Sequence, residues 1–118
     1  MQQPKIFDGS ESATAALAGM FRELVTRKTS GVEIVPSGNS GEVTYFTDGK
    51  IYTAAIFPQG LYKKVIDRLK ILANSKSEEN TAEQGSWEME VLDKKTRIEA
   101  LIVPTAAGEK IILKITYV

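Results

Sequence analysis

IEALIVPTAAGEKIILKITYV, residues 98 to 118, reads as two β-strands around a turn. Ile98, Ala100 and Ile102 alternate with Glu99, Leu101 and Val103. After Pro104-Thr105-Ala106-Ala107-Gly108, a second run carries Ile111, Ile112, Leu113, Ile115, Tyr117 and Val118. A period of two, rich in branched residues and broken by Pro and Gly, is a strand signal, because successive side chains of a strand point to opposite faces. A turn of about five residues folds the second strand back antiparallel on the first. Apolar side chains on both faces place the pair centrally, with one face of the sheet fully covered. This hairpin is the expected core of the sheet, and it specifies an architecture without specifying a reaction.

The composition narrows the class. A chain of 118 residues suits one domain with its own core. Lys plus Arg and Asp plus Glu stand at 15 each, so the formal net charge is zero, which argues against nucleic acid or an acidic membrane as a partner. The chain contains no cysteine and no histidine, which removes disulfides, thiol and imidazole catalysis and the common zinc sites. No apolar run approaches the roughly twenty residues of a membrane span. The N-terminal MQQPKIFDGS lacks a hydrophobic secretory core. A soluble, cytoplasmic protein without membrane insertion is expected.

Upstream of the hairpin, Trp87, Met89 and Val91 alternate with Glu88 and Glu90, and Asp93-Lys94-Lys95 turns that strand into the next. Ser75 to Gly85 (SKSEENTAEQG) is polar and aperiodic and reads as a surface loop. Before it, Leu61, Val65, Ile66, Leu69, Leu72 and Ala73 form the apolar stripe of a helix over about residues 59–74. Lys63, Lys64, Asp67, Arg68 and Lys70 fall on its wet side. GEVTYFTDGKIYTAAIF, residues 41–57, holds the strongest local signal: two alternating runs around Asp48-Gly49, the type I′ hairpin signature. Tyr45, Phe46 and Tyr52 then read as cross-strand packing rather than as base-stacking or a ligand pocket.

Gly31 to Pro36 is a short strand, with Pro36 marking an edge or a strand end, and Ser37 to Gly41 is a turn. Leu17, Met20, Phe21, Leu24 and Val25 form the stripe of a helix from about Ser12 to Lys28, capped by Ser10 or Ser12 and terminated by Gly31. Met1 to Gly9 is a loose lead-in. The order is helix, three strands, helix, three strands. It predicts a single α+β domain with a mainly antiparallel six-stranded sheet and both helices on one side.

Residues that carry chemistry are few. No GxxxxGK[ST] phosphate loop is present; Gly108-Glu109-Lys110 lacks the leading glycine at its spacing and the following Ser or Thr. Gly38 to Gly41 precedes a strand rather than a helix N-terminus. Glu78, Glu79 and Glu83 fall in the polar loop and Glu88 and Glu90 on one strand face, settings that read as solvated surface. No catalytic residue, cofactor site or metal site is expected.

Several stretches, in order along the chain, carry a family resemblance. Arg68-Leu69-Lys70-Ile71-Leu72-Ala73 resembles the SRIKxLA segment of type II secretion and type IV pilus assembly ATPases. Pro104 to Ile115 (PTAAGEKIILKI) is similar to that family's LPTxxGEKxVLRxL stretch. Val32 to Pro36 compares with SDIHIEP, and Phe46-Thr47-Asp48-Gly49-Lys50 with RIDGxL. The resemblance covers most of the chain and implies the PAS-like domain that precedes the ATPase core of those hexameric motors. The sequence ends where that core would begin. The family's QDGR loop, whose arginine reaches phosphate, aligns with Gln84-Gly85-Ser86, and its RVS arginine falls at Glu99. Arginine forks phosphate oxygens, whereas glutamate repels them, so nucleotide binding is not expected. Gly41 to Ala54 also resembles the GxIxFxDGxIxxA hairpin of PATAN-type adaptor domains, a motif that leaves Pro104 to Ile115 unaccounted for.

The resemblance implies a non-catalytic PAS-like partner or adaptor domain that contacts a secretion or pilus motor, or itself as a homo-oligomer. The candidate interaction surface is Lys63, Lys64, Asp67 and Arg68 on the second helix, with Thr105 and Glu109 at the last turn. The alternative is a small-ligand sensor that uses the concave side of the sheet. An aromatic-lined cavity under the helices would favour the sensor, and a filled core the contact domain.

Overall fold

A computed structural model describes residues 5–6, 12–38, 40–58, 60–73 and 82–118. In chain order the elements are β1 (Lys5–Ile6), α1 (Ala13–Thr26), β2 (Gly31–Ser37), β3 (Ser40–Thr47), β4 (Lys50–Phe57), α2 (Leu61–Leu72), β5 (Glu83–Val91), β6 (Lys94–Thr105) and β7 (Gly108–Tyr117). The strands form one seven-stranded sheet in the order β1-β4-β3-β2-β7-β6-β5, antiparallel throughout except for β1 beside β4. The fold is α+β. Both helices lie on the same face and share one core with it, built around Met20, Leu24, Tyr45, Phe57, Leu69 and Leu113. Among the described residues no helix is long and apolar enough to cross a membrane.

The opening hairpin sits where its pattern predicts. β7 lies between β2 and β6, with Leu113 opposite Val32 on one side and Ala100 on the other. Ile98, Ala100, Ile102, Ile111, Leu113 and Ile115 face the helices and are buried, while Leu101 and Ile112 lie opposite each other on the open face, 37% and 36% exposed. The turn is tighter than expected, because Thr105 pairs with Gly108 and leaves only Ala106 and Ala107 between them. Asp48 and Gly49, at φ 52 and 75, form the β3–β4 turn with the positive dihedrals that type I′ requires. A register shift between Val43 and Thr44 lets both Ala54 and Ala55 turn inward. Tyr45 is wholly buried and its hydroxyl donates to the Met20 carbonyl at 3.4 Å, so it is core. Phe46 is half-buried, and the side chain of Tyr52 lies outside the described residues.

α1 starts as expected. The Ser12 hydroxyl accepts from the Ala15 amide at 3.1 Å; Ser10 lies outside the described residues. Its end differs. Lys28, not Gly31, takes the left-handed conformation at φ 55, with Lys28 N–H on the Val25 carbonyl and Thr29 N–H on that of Leu24. This is the Schellman arrangement with lysine where glycine is usual. Gly31 instead pairs with Phe46 and Lys114 inside β2.

Three further expectations are corrected, and one is narrowed. Pro36 marks a strand end and not an edge, since it is the next-to-last residue of β2, which pairs with both β3 and β7. Pro36 is tolerated because the β7 pairing covers only Gly31 to Ile34. The sheet has a seventh strand, because Lys5 and Ile6 of the supposed lead-in pair with Ala55 and Ile56; the remaining residues up to Gly9 lie outside the description. The polar segment ends earlier than Gly85, since β5 begins at Glu83; residues 75–81, with Glu78 and Glu79, are not described. Lys70 is not on the wet side of α2 but 3% exposed, because two carboxylates meet it there.

Candidate functional site

α2 is an amphipathic helix that opens at Gly60, whose φ of 87 turns the chain out of β4. Its spacing sends Leu61, Val65, Ile66 and Leu69 inward and leaves Lys63, Lys64, Asp67 and Arg68 exposed along one side. None of these four forms an ion pair among the described residues. Thr105, also exposed, braces the β6–β7 turn: its hydroxyl donates to the Gly108 carbonyl at 2.6 Å and accepts from the Ala107 amide at 3.2 Å.

Glu109, the remaining member of the expected surface, is half-buried and engaged by α2 twice. Tyr62 donates its hydroxyl to the Glu109 carbonyl. Lys70 lies 2.8 and 3.0 Å from the two oxygens of the Glu109 carboxylate and 3.5 Å from a Glu83 oxygen. Glu83 starts β5 and Glu109 lies at the start of β7. They flank β6, where their partners Ile102 and Pro104 share a face. One ammonium on α2 therefore ties together two strands that do not touch each other.

Sequence reasoning passed over Tyr62, Lys70 and Glu83. A signal for Lys70 was available, since it stands four residues after Ile66 and three before Ala73, inside the apolar stripe. Glu83 likewise extends backward the alternation of Gly85, Trp87, Met89 and Val91. Two glycines set the helix close to the sheet. A Cβ on Gly41 would lie 1.7 Å from the Tyr62 ring, and one on Gly85 2.2 Å from the Ala73 carbonyl oxygen.

The electrostatics of this cluster are those of a tie rather than of a reactive centre. Burial alone pushes the Lys70 pKa down, but hydrogen bonding and charge from Glu109, with Glu83 behind it, outweigh burial and leave it above its ordinary value of 10.5. An amine held as ammonium has no lone pair for nucleophilic or base chemistry, the opposite of a catalytic lysine. Burial and the Glu109 charge push the Tyr62 phenol up to about 12, so it stays a donor. Among the described residues no group of acidic side chains is arranged to hold a metal ion.

The two positions aligned with phosphate-binding arginines, Ser86 and Glu99, are direct cross-strand partners on the open face of the sheet. Arg97 reaches the Ser86 hydroxyl at 3.4 Å. Under the helices the space is occupied: Tyr45, Phe57, Leu24 and Leu69 are fully buried there. Hollows lie instead at the periphery, one of about 610 Å³ beside Lys28, Asp93, Lys94 and Lys95. Comparison with models of known protein families and with curated proteins finds no match.

Proposed function

We propose that this chain is a non-catalytic, PAS-like protein-interaction domain, similar to the N-terminal domain of secretion and pilus-assembly ATPases, acting in the cytoplasm as a partner or adaptor. The observation that carries the reading is the double link of Glu109 to α2. Through Tyr62 and Lys70 it fixes α2 against the start of β7, next to the Thr105 turn, and so holds the helix that carries the exposed charges in place. That surface offers three uncommitted cations and a carboxylate on a rigid helix, the kind of pattern that sets partner choice and association rate. The large side chains buried under the helices, Tyr45, Phe57, Leu24 and Leu69, favour contact over small-ligand sensing. The partner is a motor of that kind or a second copy of the domain.

Charge reversal at Lys64 and Arg68 tests the reading. Both side chains are exposed, so Lys64→Glu with Arg68→Glu should leave the melting temperature within a few degrees while weakening a partner recovered from native lysate. Recovery of the same partners with the same salt dependence would refute this surface.

A further inference from the structure

We propose that the outer edge of β5 is a docking site for an extended protein segment in which basic and apolar residues alternate. The two ends of the sheet differ. At one end β4 is covered by the chain's own Lys5–Ile6, added as a parallel strand. At the other, β5 pairs among the described residues only with β6, along all nine of its residues. A long uncovered edge is a template for another strand unless something blunts it. β5 contains no proline and no register shift.

The β5–β6 turn shows which backbone groups are free. Leu92 and Asp93, at φ 50 and 63, form a two-residue type I′ turn closed by Val91 and Lys94. The pair that closes such a turn is hydrogen-bonded, and bonded pairs recur at every second residue. The odd residues of β5 thus bond to β6. Gln84, Ser86, Glu88 and Glu90 direct their N–H and C=O groups outward. The Thr96 hydroxyl, which donates to the Met89 carbonyl at 2.9 Å, agrees with Met89 facing β6.

The side chains along this edge specify the occupant. On the helix side, two adjoining hollows of about 160 and 240 Å³ share Ala18, Phe21 and Met89. Trp87 packs behind them, its ring edge-on to Phe21, which lines both, with centroids 6.3 Å apart. Every second side chain of an added strand would enter this groove, and its lining calls for apolar residues. Arg22 and Arg68 border the hollows, so basic residues are excluded from that face.

On the open side stand Glu88 and Glu90, both exposed. β6 answers them from one flank with Arg97, 3.8 Å from Glu88, and with Lys95 opposite Glu90. Their other flank would face the added strand, where adjacent opposite charges stabilise and like charges do not. A second copy adding its own β5 fits poorly, because EQGSWEMEV supplies carboxylates and no cation.

The proposal rests on reading the domain as a protein-interaction module; it shares Arg68 with the exposed side of α2 but its test substitutions lie on β5, so the two can fail separately. Trp87 is the sole tryptophan and reports through Phe21, which lines both hollows. The probe is a capped nine-residue peptide alternating lysine with valine, titrated against the whole chain by Trp87 emission. A saturable change is expected, weakened roughly tenfold by Glu88→Gln with Glu90→Gln and reduced by added salt. Glu88→Pro removes an outward N–H without touching the β6 ladder, and should abolish binding while circular dichroism stays native. If that variant does not fold, N-methylation of the peptide's pairing amides should abolish binding to the wild type. Four results would overturn the proposal: no saturable change, equal binding of the glutamate–valine peptide, undiminished binding by folded Glu88→Pro, or a wild-type dimer that Glu88→Pro dissociates, which would make a second copy the occupant.

Discussion

Replacing Lys70 by Met removes a cation that stands between one buried and one half-buried carboxylate. Lys70 is 3% exposed, and its ammonium stands 2.8 Å from Glu109 and 3.5 Å from Glu83. Met keeps the length of the stem, so packing changes little. What remains is two carboxylates whose side chains are 7% and 22% exposed and which have lost the Lys70 ammonium. Removing one partner of a buried pair costs about 3–5 kcal/mol, well above the ~1 kcal/mol of an exposed pair. For a chain of this length the melting temperature should fall on the order of 10–20 °C. Adding Glu83→Gln and Glu109→Gln to Lys70→Met should recover most of that loss, since the buried charge is gone. In the wild type the Lys70 pKa is raised on folding. Its contribution is complete below about pH 10.5 and is lost as pH rises through the higher folded value. Urea melts of the three proteins at several pH values measure all of this. A loss below about 1 kcal/mol in Lys70→Met would mean that the cluster is hydrated and that α2 is held by its apolar stripe alone.

Leu113→Ala, in the central strand, should cost about 2–5 kcal/mol in denaturant melts through lost burial and a residual cavity; less than about 1 kcal/mol would contradict the central place of β7. Gly85→Ala should destabilise by about 1–3 kcal/mol or more, because the added methyl meets the Ala73 carbonyl oxygen at 2.2 Å and backbone cannot rotate away; a neutral effect would mean that α2 stands farther from β5. In a spectrophotometric titration Tyr62 should ionise near 12, above the ordinary tyrosine value of 10.0. The stability it confers should persist below about pH 10 and fade as pH rises toward 12, a decline reduced in Tyr62→Phe. On the proposed resemblance, which puts Ser86 and Glu99 in the two arginine places, calorimetric titration with ATP and magnesium should show no binding; a dissociation constant below about 100 μM would refute that.

Local pattern made the hairpins legible. Asp48-Gly49 could be read because type I′ geometry needs positive φ at both residues, and few residue pairs supply it. Ser12 could be read for the equally local reason that its hydroxyl serves an amide three residues on. Long-range pairing was not legible. Nothing in Gly31 to Pro36 announces that β7 will lie beside it, so a proline that sits just past the β7 register looked like an edge signal. The short β1 was missed because two residues are too few for any periodicity.

The Lys70 cluster was missed for a different reason. Lys70, Glu83 and Glu109 each occupy an inward position by their own element's period, and each was assigned to water because a lone buried charge costs several kcal/mol. That rule is correct for each residue taken alone and fails for the three together, since the partners that cancel the cost lie 13 and 39 residues away from the lysine. The useful inference therefore runs from conflict to contact. When a charged residue falls on an apolar stripe of a helix and acidic residues fall on the inward positions of two strands, the period and the charge cannot both be satisfied separately. They can be satisfied if helix and strands meet there, which places α2 across the start of β5 and β7 and leaves Lys63, Lys64, Asp67 and Arg68 exposed.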